Sequence, residues 1–314
     1  MPDTKTAALG RDAAFQLADV TKTRPQFGAL TPRWLTHFLE FKGLDAGVYR
    51  VNRVVEGDTP LDALCSQDPS KQDIPQGFVQ YEVKPREIHL SSIAAIVNVD
   101  SRVQDVYSAP YDQTAEQLGL AIESLRERQE SQIINNGDYG LLANVVDSQR
   151  VQPRDGAPTP DDLDELIAKV WKEPGFFLAH PRAIAAFERE CTRRGVPPVT
   201  TTLFGGTFVT WRGVPLVPTD KLLVDGLKSP TSKSGKTNIL LVRTGEAKRG
   251  VIGLYQAGLA GEQSRGLSVR VRGVDDDGVT SYLLSLYCSA AILADDALAV
   301  LEDVEVGDYY DYNK

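Results

Sequence analysis

The chain has 314 residues, 42% of them hydrophobic and 25% charged, enough apolar content to bury the core of one large domain or two. Its formal net charge of −9 argues against a surface that coats nucleic acid. Three widely separated cysteines, Cys65, Cys191 and Cys288, give neither a disulfide framework nor a zinc pattern. The polar first ten residues do not read as a signal peptide, and the longest apolar run, 282–293, is broken by Ser285 and Ser289 and too short to span a bilayer. The expectation is a soluble cytoplasmic protein with no integral membrane segment.

Residues 1–30 carry no sustained periodicity and few bulky apolar groups. They read as an arm, disordered or ordered by something outside its own domain. Thr31-Pro32-Arg33-Trp34-Leu35 has the form of a capped helix start. Phe38, Leu39 and Phe41 complete its apolar face, Gly43 ends it, and Trp34 is expected to anchor it in the core. Residues 48–55 are strand-like, and the matching strand is 78–84, where Val79, Tyr81 and Val83 alternate with polar residues. The polar stretch 56–77 between them makes a long projecting hairpin that suits contact with a neighbouring subunit better than a compact monomer. Residues 88–99 continue extended.

The long helix signal of the chain lies within 107–142. Ser108 can cap it, Pro110 suits its first turn, and Asp112 and Glu116 place negative charge at the positive end of its dipole. Leu118, Ala121, Ile122 and Leu125 form one apolar stripe. Glu123, Arg126, Glu127, Arg128 and Glu130 are assigned to the other faces, with Arg126 and Glu130 spaced to pair. Asn135, Asn136 and Gly137 stop a rod of roughly 36 Å.

A Pro/Gly-rich link at 152–160 marks a boundary. Thr159-Pro160-Asp161-Asp162 opens a helix with Leu163, Leu166, Ile167 and Val170 on one face, and 176–179 reads as a short buried strand. Pro181 begins a second helix that Gly195 closes. Strands follow at 203–204, 207–211 and 214–217, then a loop at 228–237 and a strand at 239–242. Leu267, Val269 and Val271 alternate with polar residues, Asp275-Asp276-Asp277-Gly278 turns, and 282–288 returns. From Asp295 the tail is acidic and ends in Tyr309, Tyr310 and Tyr312.

Catalytic chemistry is sparse. His37, His89 and His180 read as members of a helix, a strand and a helix cap, and none is followed by a second ligand at metal-binding spacing. Ser234-Gly235-Lys236-Thr237 ends like a phosphate-binding loop, but Pro230 stands where its first glycine belongs, and 238–242 reads as strand where a helix is needed. Asp162, Asp164 and Glu165 belong to a helix start and Asp275 to Asp277 to a turn, so no paired buried carboxylates are foreseen. Cys191, near Arg193 and Arg194, has no His or Asn partner and reads as a buried or idle thiol. No catalytic, cofactor-binding or metal-binding residue is predicted.

The order of arm, short helix, long hairpin, spine helix, α/β part and closing strands resembles the α+β, HK97-like capsid fold of tailed bacteriophages. In its terms the chain divides into an N-terminal arm (1–30), a P-domain with the spine helix (31–52, 88–151 and 267–314), an E-loop (53–87) and an A-domain (152–266). More closely, the sequence resembles the encapsulin shell proteins of the second family. That match rests on Thr21-Lys22-Thr23 with Pro25, Thr31-Pro32-Arg33-Trp34-Leu35, Tyr49-Arg50-Val51-Asn52-Arg53, Arg126-Glu127-Arg128-Gln129-Glu130, Ile134-Asn135-Asn136 and Tyr139-Gly140-Leu141-Leu142-Ala143-Asn144. Gly213-Val214-Pro215-Leu216-Val217 and Ala297-Leu298-Ala299-Val300-Leu301 resemble capsid-fold proteins more widely. Residues 56–77 are too few to hold an inserted cyclic-nucleotide-binding domain, which points to the subgroup without one.

The resemblance implies a structural protein, without cofactor, that self-assembles into an icosahedral nanocompartment in the bacterial cytoplasm. Its implied cargo is a cysteine desulfurase in sulfur metabolism, and nucleic acid is not an implied partner. By position, Arg193, Arg194, Gly195, Val196, Pro197, Pro198, Val199 and Thr200 are the residues the resemblance places around the five-fold pore. Their arginines either form a positive ring that favours anions and small zwitterions, or pair with acidic groups nearby. Two alternatives remain at this level: a phage-type major capsid protein that packages DNA, and a nucleotide-using enzyme built on the loop 234–237.

Overall fold

A computed structural model describes residues 31–52, 54–55, 75–77, 80–99, 113–226, 235–276 and 278–307. The expected arm 1–30, most of the hairpin tip, the helix start at Ser108 and Pro110, Ser234 with Pro230, and the terminal tyrosines lie outside the described residues. The elements in chain order are α1 (Trp34–Phe38), β1 (Phe41–Leu44), β2 (Val48–Val51), β3 (Val54–Val55), β4 (Gln80–Tyr81), β5 (Arg86–His89), β6 (Ser91–Val99) and α2 (Gln113–Asn135). Then come β7 (Arg150–Val151), α3 (Pro160–Lys169), β8 (Phe176–Ala179), α4 (Pro181–Arg193), β9 (Val199–Leu203), β10 (Gly206–Trp211) and β11 (Val214–Pro218). The chain closes with β12 (Lys236–Val242), β13 (Val251–Gln256), β14 (Glu262–Ser264), β15 (Leu267–Val274), β16 (Thr280–Ile292) and β17 (Leu298–Glu305).

Among the described residues two large sheets form. One runs β7-β17-β12-β8-β11-β10-β9. Its central strands are apolar almost continuously, because both of its faces are covered. Helices α3 and α4 cover one face with Leu163, Leu166, Ala183 and Phe187. The other face meets Leu35 and Leu39 from the N-terminal segment and Ile133 and Ile134 from the end of α2. The second sheet runs β1-β13-β16-β15-β14, with β6 also paired to β16. Its inward residues Ile93, Leu267, Leu284 and Leu286 receive the stripe Leu118, Ala121, Ile122 and Leu125 of α2. The spine helix, 23 residues and roughly 35 Å long, therefore packs along one sheet and ends against the other.

Local sequence explains several boundaries. At α3, Thr159 Oγ1 accepts the Asp162 N–H at 3.3 Å while the Asp162 carboxylate accepts the Thr159 N–H at 3.0 Å, a reciprocal capping box. Asn136 ends α2 by accepting the Asp138 N–H at 2.8 Å.

Other expectations are corrected. Thr31 does not cap α1: its hydroxyl donates to Glu127 at 2.7 Å, and α1 has no side-chain cap. Trp34 is half-buried, its ring edge-on to Phe208 with centroids 5.0 Å apart, and Leu35 is the fully buried anchor. Arg126 donates to Ser264, and Glu130 lies buried, so the pair read from their spacing does not form. Strand β2 pairs with β5, while β3 pairs with β4, so the register of the hairpin arm differs from the matching of 48–55 with 78–84.

The sheets also cross the division drawn from sequence. Strand β13, within 152–266, pairs with β1 and β16, whereas β17, within 267–314, pairs with β12 and β7. The acidic stretch after Asp295 thus contains a strand whose first four residues are buried. Its acids Glu302, Asp303 and Glu305 lie toward the exposed end of the strand, and Glu302 pairs with Arg150. Pairing between distant segments decides these points, and no local signal carries it.

Replacing Leu35 with Ala should lower the stability of the folded subunit by about 2–5 kcal/mol, because the site is closed on all sides. Leu120→Ala, at a position 44% exposed, should cost less than about 0.5 kcal/mol. Denaturant unfolding of the two variants measures both, and the reverse order would contradict the packing described.

Candidate pore loop and its surroundings

The loop predicted for the pore follows α4. Ala183, Ala186, Phe187 and Cys191 hold the apolar face of that helix against the sheet. Gly195, at φ 71°, turns the chain out of the helix, and the Val196 N–H returns to the Cys191 carbonyl at 2.9 Å. Pro197 and Pro198 follow, stiffening the loop and removing two donors. Val196 and Val199 are exposed, the latter at 71%. Strand β9 ends the seven-stranded order, so loop and strand occupy an extremity of that sheet.

Both arginines are partnered within the subunit. Arg193 Nη1 donates to Glu190 Oε1 at 2.6 Å. Arg194 Nη1 donates to Asp161 Oδ2 at 2.8 Å, and its Nη2 lies 3.5 Å from Asp155. Of the two arrangements open at the sequence level, the paired one is found. Asp161 is 33 positions away in sequence, at the start of α3, and the contact exists because α3 and α4 lie side by side on one face of the sheet. Val196, Pro197 and Val199 are thus exposed beside arginines that remain accessible while paired within the subunit.

The remaining candidate groups sit in structural roles. His180 Nδ1 accepts the Arg182 N–H at 3.1 Å, and burial, with the charge of Arg182, lowers its pKa and keeps it a neutral helix cap. His37 lies against the rings of Trp34 and Phe204, and His89 is exposed on β5. Lys236 and Thr237 open β12 and pair with β17, so strand follows the glycine where a phosphate-binding loop needs a helix. Burial pushes the thiols of Cys191 and Cys288 up to about 11, opposite to what a nucleophile needs. Burial would raise the Asp164 carboxyl, but hydrogen bonds from Arg212 and Trp211 hold it below its usual range. Among the described residues no three His, Cys, Asp or Glu side chains converge as a metal site, and no helix is long and apolar enough to cross a membrane.

One arrangement was not legible in the sequence. Three glutamates of α2 face the N-terminal segment: Glu123 pairs with Arg33, Glu127 accepts from Thr31 and pairs with Lys221, and Glu130 is buried beneath. Lys221 also pairs with Asp220 at 2.7 Å. Three- and four-residue spacing of the glutamates was the available signal, but it reads equally as a solvated face.

Against this geometry, a family model described as "Type 2A encapsulin shell protein SrpI-like" matches residues 50–308. The chain is 54% identical over 305 residues to the Type 2A encapsulin shell protein SrpI of Synechococcus elongatus, covering 97% of this chain and 96% of that protein. It superposes on a chain of the holo-SrpI encapsulin complex from the same organism, solved by cryo-EM, with a TM-score of 0.81 and 52% identity, over 98% of this chain and 100% of that one. With the capsid of an empty GTA particle it shares the fold alone, at 12% identity and a TM-score of 0.60, over 95% and 100% of the two chains. Two packed sheets bridged by a spine helix, matched nearly end to end by a shell protein, leave one assignment: the chain belongs to the SrpI-like family of type 2A encapsulin shell proteins.

Proposed function

We propose that copies of this chain assemble in the bacterial cytoplasm into a closed icosahedral nanocompartment that encloses a cysteine desulfurase and serves sulfur metabolism. The observation that carries the reading is the near-complete match to a shell protein, at 54% identity over 97% of the chain. The chemistry of the subunit agrees with it. His180 caps a helix and His37 packs on aromatic rings, the described thiols are buried, and the carboxylates near the candidate loop answer arginines. Such a chain builds a wall and leaves catalysis to what it contains. The loop 193–200 borders the five-fold opening in this reading, with Val196, Pro197 and Val199 exposed beside arginines whose charges are paired within the subunit.

Two outcomes are expected. Expressed with a cysteine desulfurase and purified by size, the chain should give uniform closed particles in negative stain, with the enzyme inside and shielded from protease. Particles filled with DNA would favour the phage-type reading, and enzyme eluting apart from intact particles would remove the cargo assignment. Secondly, the double variant R193E/R194E places added negative charge beside Glu190 and Asp161. Entry of a small anionic substrate should slow roughly tenfold at low ionic strength, with the effect shrinking as salt screens the rim. Encapsulated activity unchanged at low salt would mean that small molecules enter elsewhere.

A further inference from the structure

Glu130 is 1% exposed, and neither of its carboxylate oxygens has a hydrogen-bond partner. The neighbouring Gln129 is buried as well, with its Oε1 unpartnered. Glu130 lies where three elements meet: the spine helix α2 that carries it, the N-terminal segment with α1, and the segment after β11. From its own helix Glu127 faces it, and from the segment after β11 Lys221 and Asp220 do. From α1 the Leu35 N–H leans toward the carboxylate without closing a hydrogen bond. The other charged or titratable groups of that segment are turned to other partners: Arg33 holds Glu123, and His37 packs on Trp34 and Phe204.

Lys221 is the nearby cation, but Glu127, Asp220 at 2.7 Å and the Thr31 hydroxyl at 3.3 Å already engage it. Apart from the Leu35 N–H, an ionised carboxylate in this position has no free donor to satisfy it. The neutral acid fits, because it gives up the charge that burial disfavours.

We propose that Glu130 is a proton latch: protonated, it lets α1 seat on the spine helix, and ionised, it loosens that seat and with it the point where residues 1–30 join the subunit. Burial raises the carboxyl to about 7, with the charge of Lys221 and the Leu35 N–H opposing the rise and the charges of Glu127 and Asp220 adding to it. The sign follows from linkage. The seated form holds a proton that the released form gives up, so the seat is firmest below the ordinary carboxyl pKa. It weakens as pH rises through the interval up to about 7, and levels off above it. This is the reverse of the usual salt-bridged carboxylate. It supplies the seat of α1 with a response to mildly acidic against mildly alkaline surroundings. The inference uses the shell assignment for its readout and is independent of where the pore lies.

The test is hydrogen exchange by mass spectrometry on assembled full-length shells, corrected for the intrinsic pH dependence of exchange. Between about pH 6 and about pH 8, protection of residues 33–39 in the wild type should fall about tenfold, while 236–242 in the central sheet stays unchanged. E130Q, which keeps the neutral shape, should hold its pH 6 protection at pH 8. Loss of protection in both segments alike, no loss in either, or the same pH dependence in E130Q would overturn the latch. Should E130Q not assemble, K221M decides: removing the opposing cation must move the transition to higher pH, and an unmoved transition overturns the proposal.

Discussion

The fold depends on covering both faces of strands β8, β12 and β17. Phe177, Ile239, Leu241, Ala299 and Leu301 point to one side and Phe176, Leu178, Leu240, Val242, Leu298 and Val300 to the other, with no polar face to leave in water. Each Val, Leu, Ile or Phe among them is worth about 1.5–3 kcal/mol when fully buried, so the sheet is stable only as the middle of a sandwich. Helices α3 and α4 supply one cover. The other comes from segments far away in sequence, Leu35 and Leu39 near the beginning and Ile133 and Ile134 at the end of the spine. That single requirement fixes where the N-terminal segment enters and where the spine helix ends.

From this placement the shell reading gains its physical sense. The spine helix lies with its apolar stripe on the six-stranded sheet and grips residues 31–35 through Glu123 and Glu127. Residues 31–35, the first described residues, are therefore held at a fixed point on the spine helix. Elsewhere the subunit leaves apolar side chains in water, Tyr81 and Val83 on the hairpin arm and Val271 and Val274 toward the tip of β15. Exposed apolar groups at extremities are what contact with further copies would cover.

Much of this was legible in the sequence, and the limit was systematic. Features set by neighbours in the chain were readable: the Thr159–Asp162 box, the Gly195 exit from α4, the stripe of α2, and the strand at 267–271, though not its alternation, since Ser268 is buried and Val271 exposed. Features set by partners far away were not. Glu130 looks like a surface residue because helical periodicity places it off the stripe, yet α1 arrives from almost a hundred residues earlier to bury it. Trp34 looks like the anchor by size, but the turn of α1 points Leu35 inward instead. The ion pairs of Arg194 were hidden for the same reason, since Asp161 and Asp155 become neighbours only when α3 and α4 share a face. The acidic stretch after Asp295 read as a tail because outward acids were visible and the pairing partners of its inward residues were not.

The central claim, that the purified chain closes into a shell of many copies through this subunit fold, is tested most directly by cryo-EM of the protein alone. The account predicts uniform closed particles with icosahedral symmetry, in which residues 31–39 sit on the spine helix and the loop 193–200 surrounds the five-fold axis. A monodisperse monomer or dimer at the same concentration, or open assemblies without five-fold vertices, would contradict it.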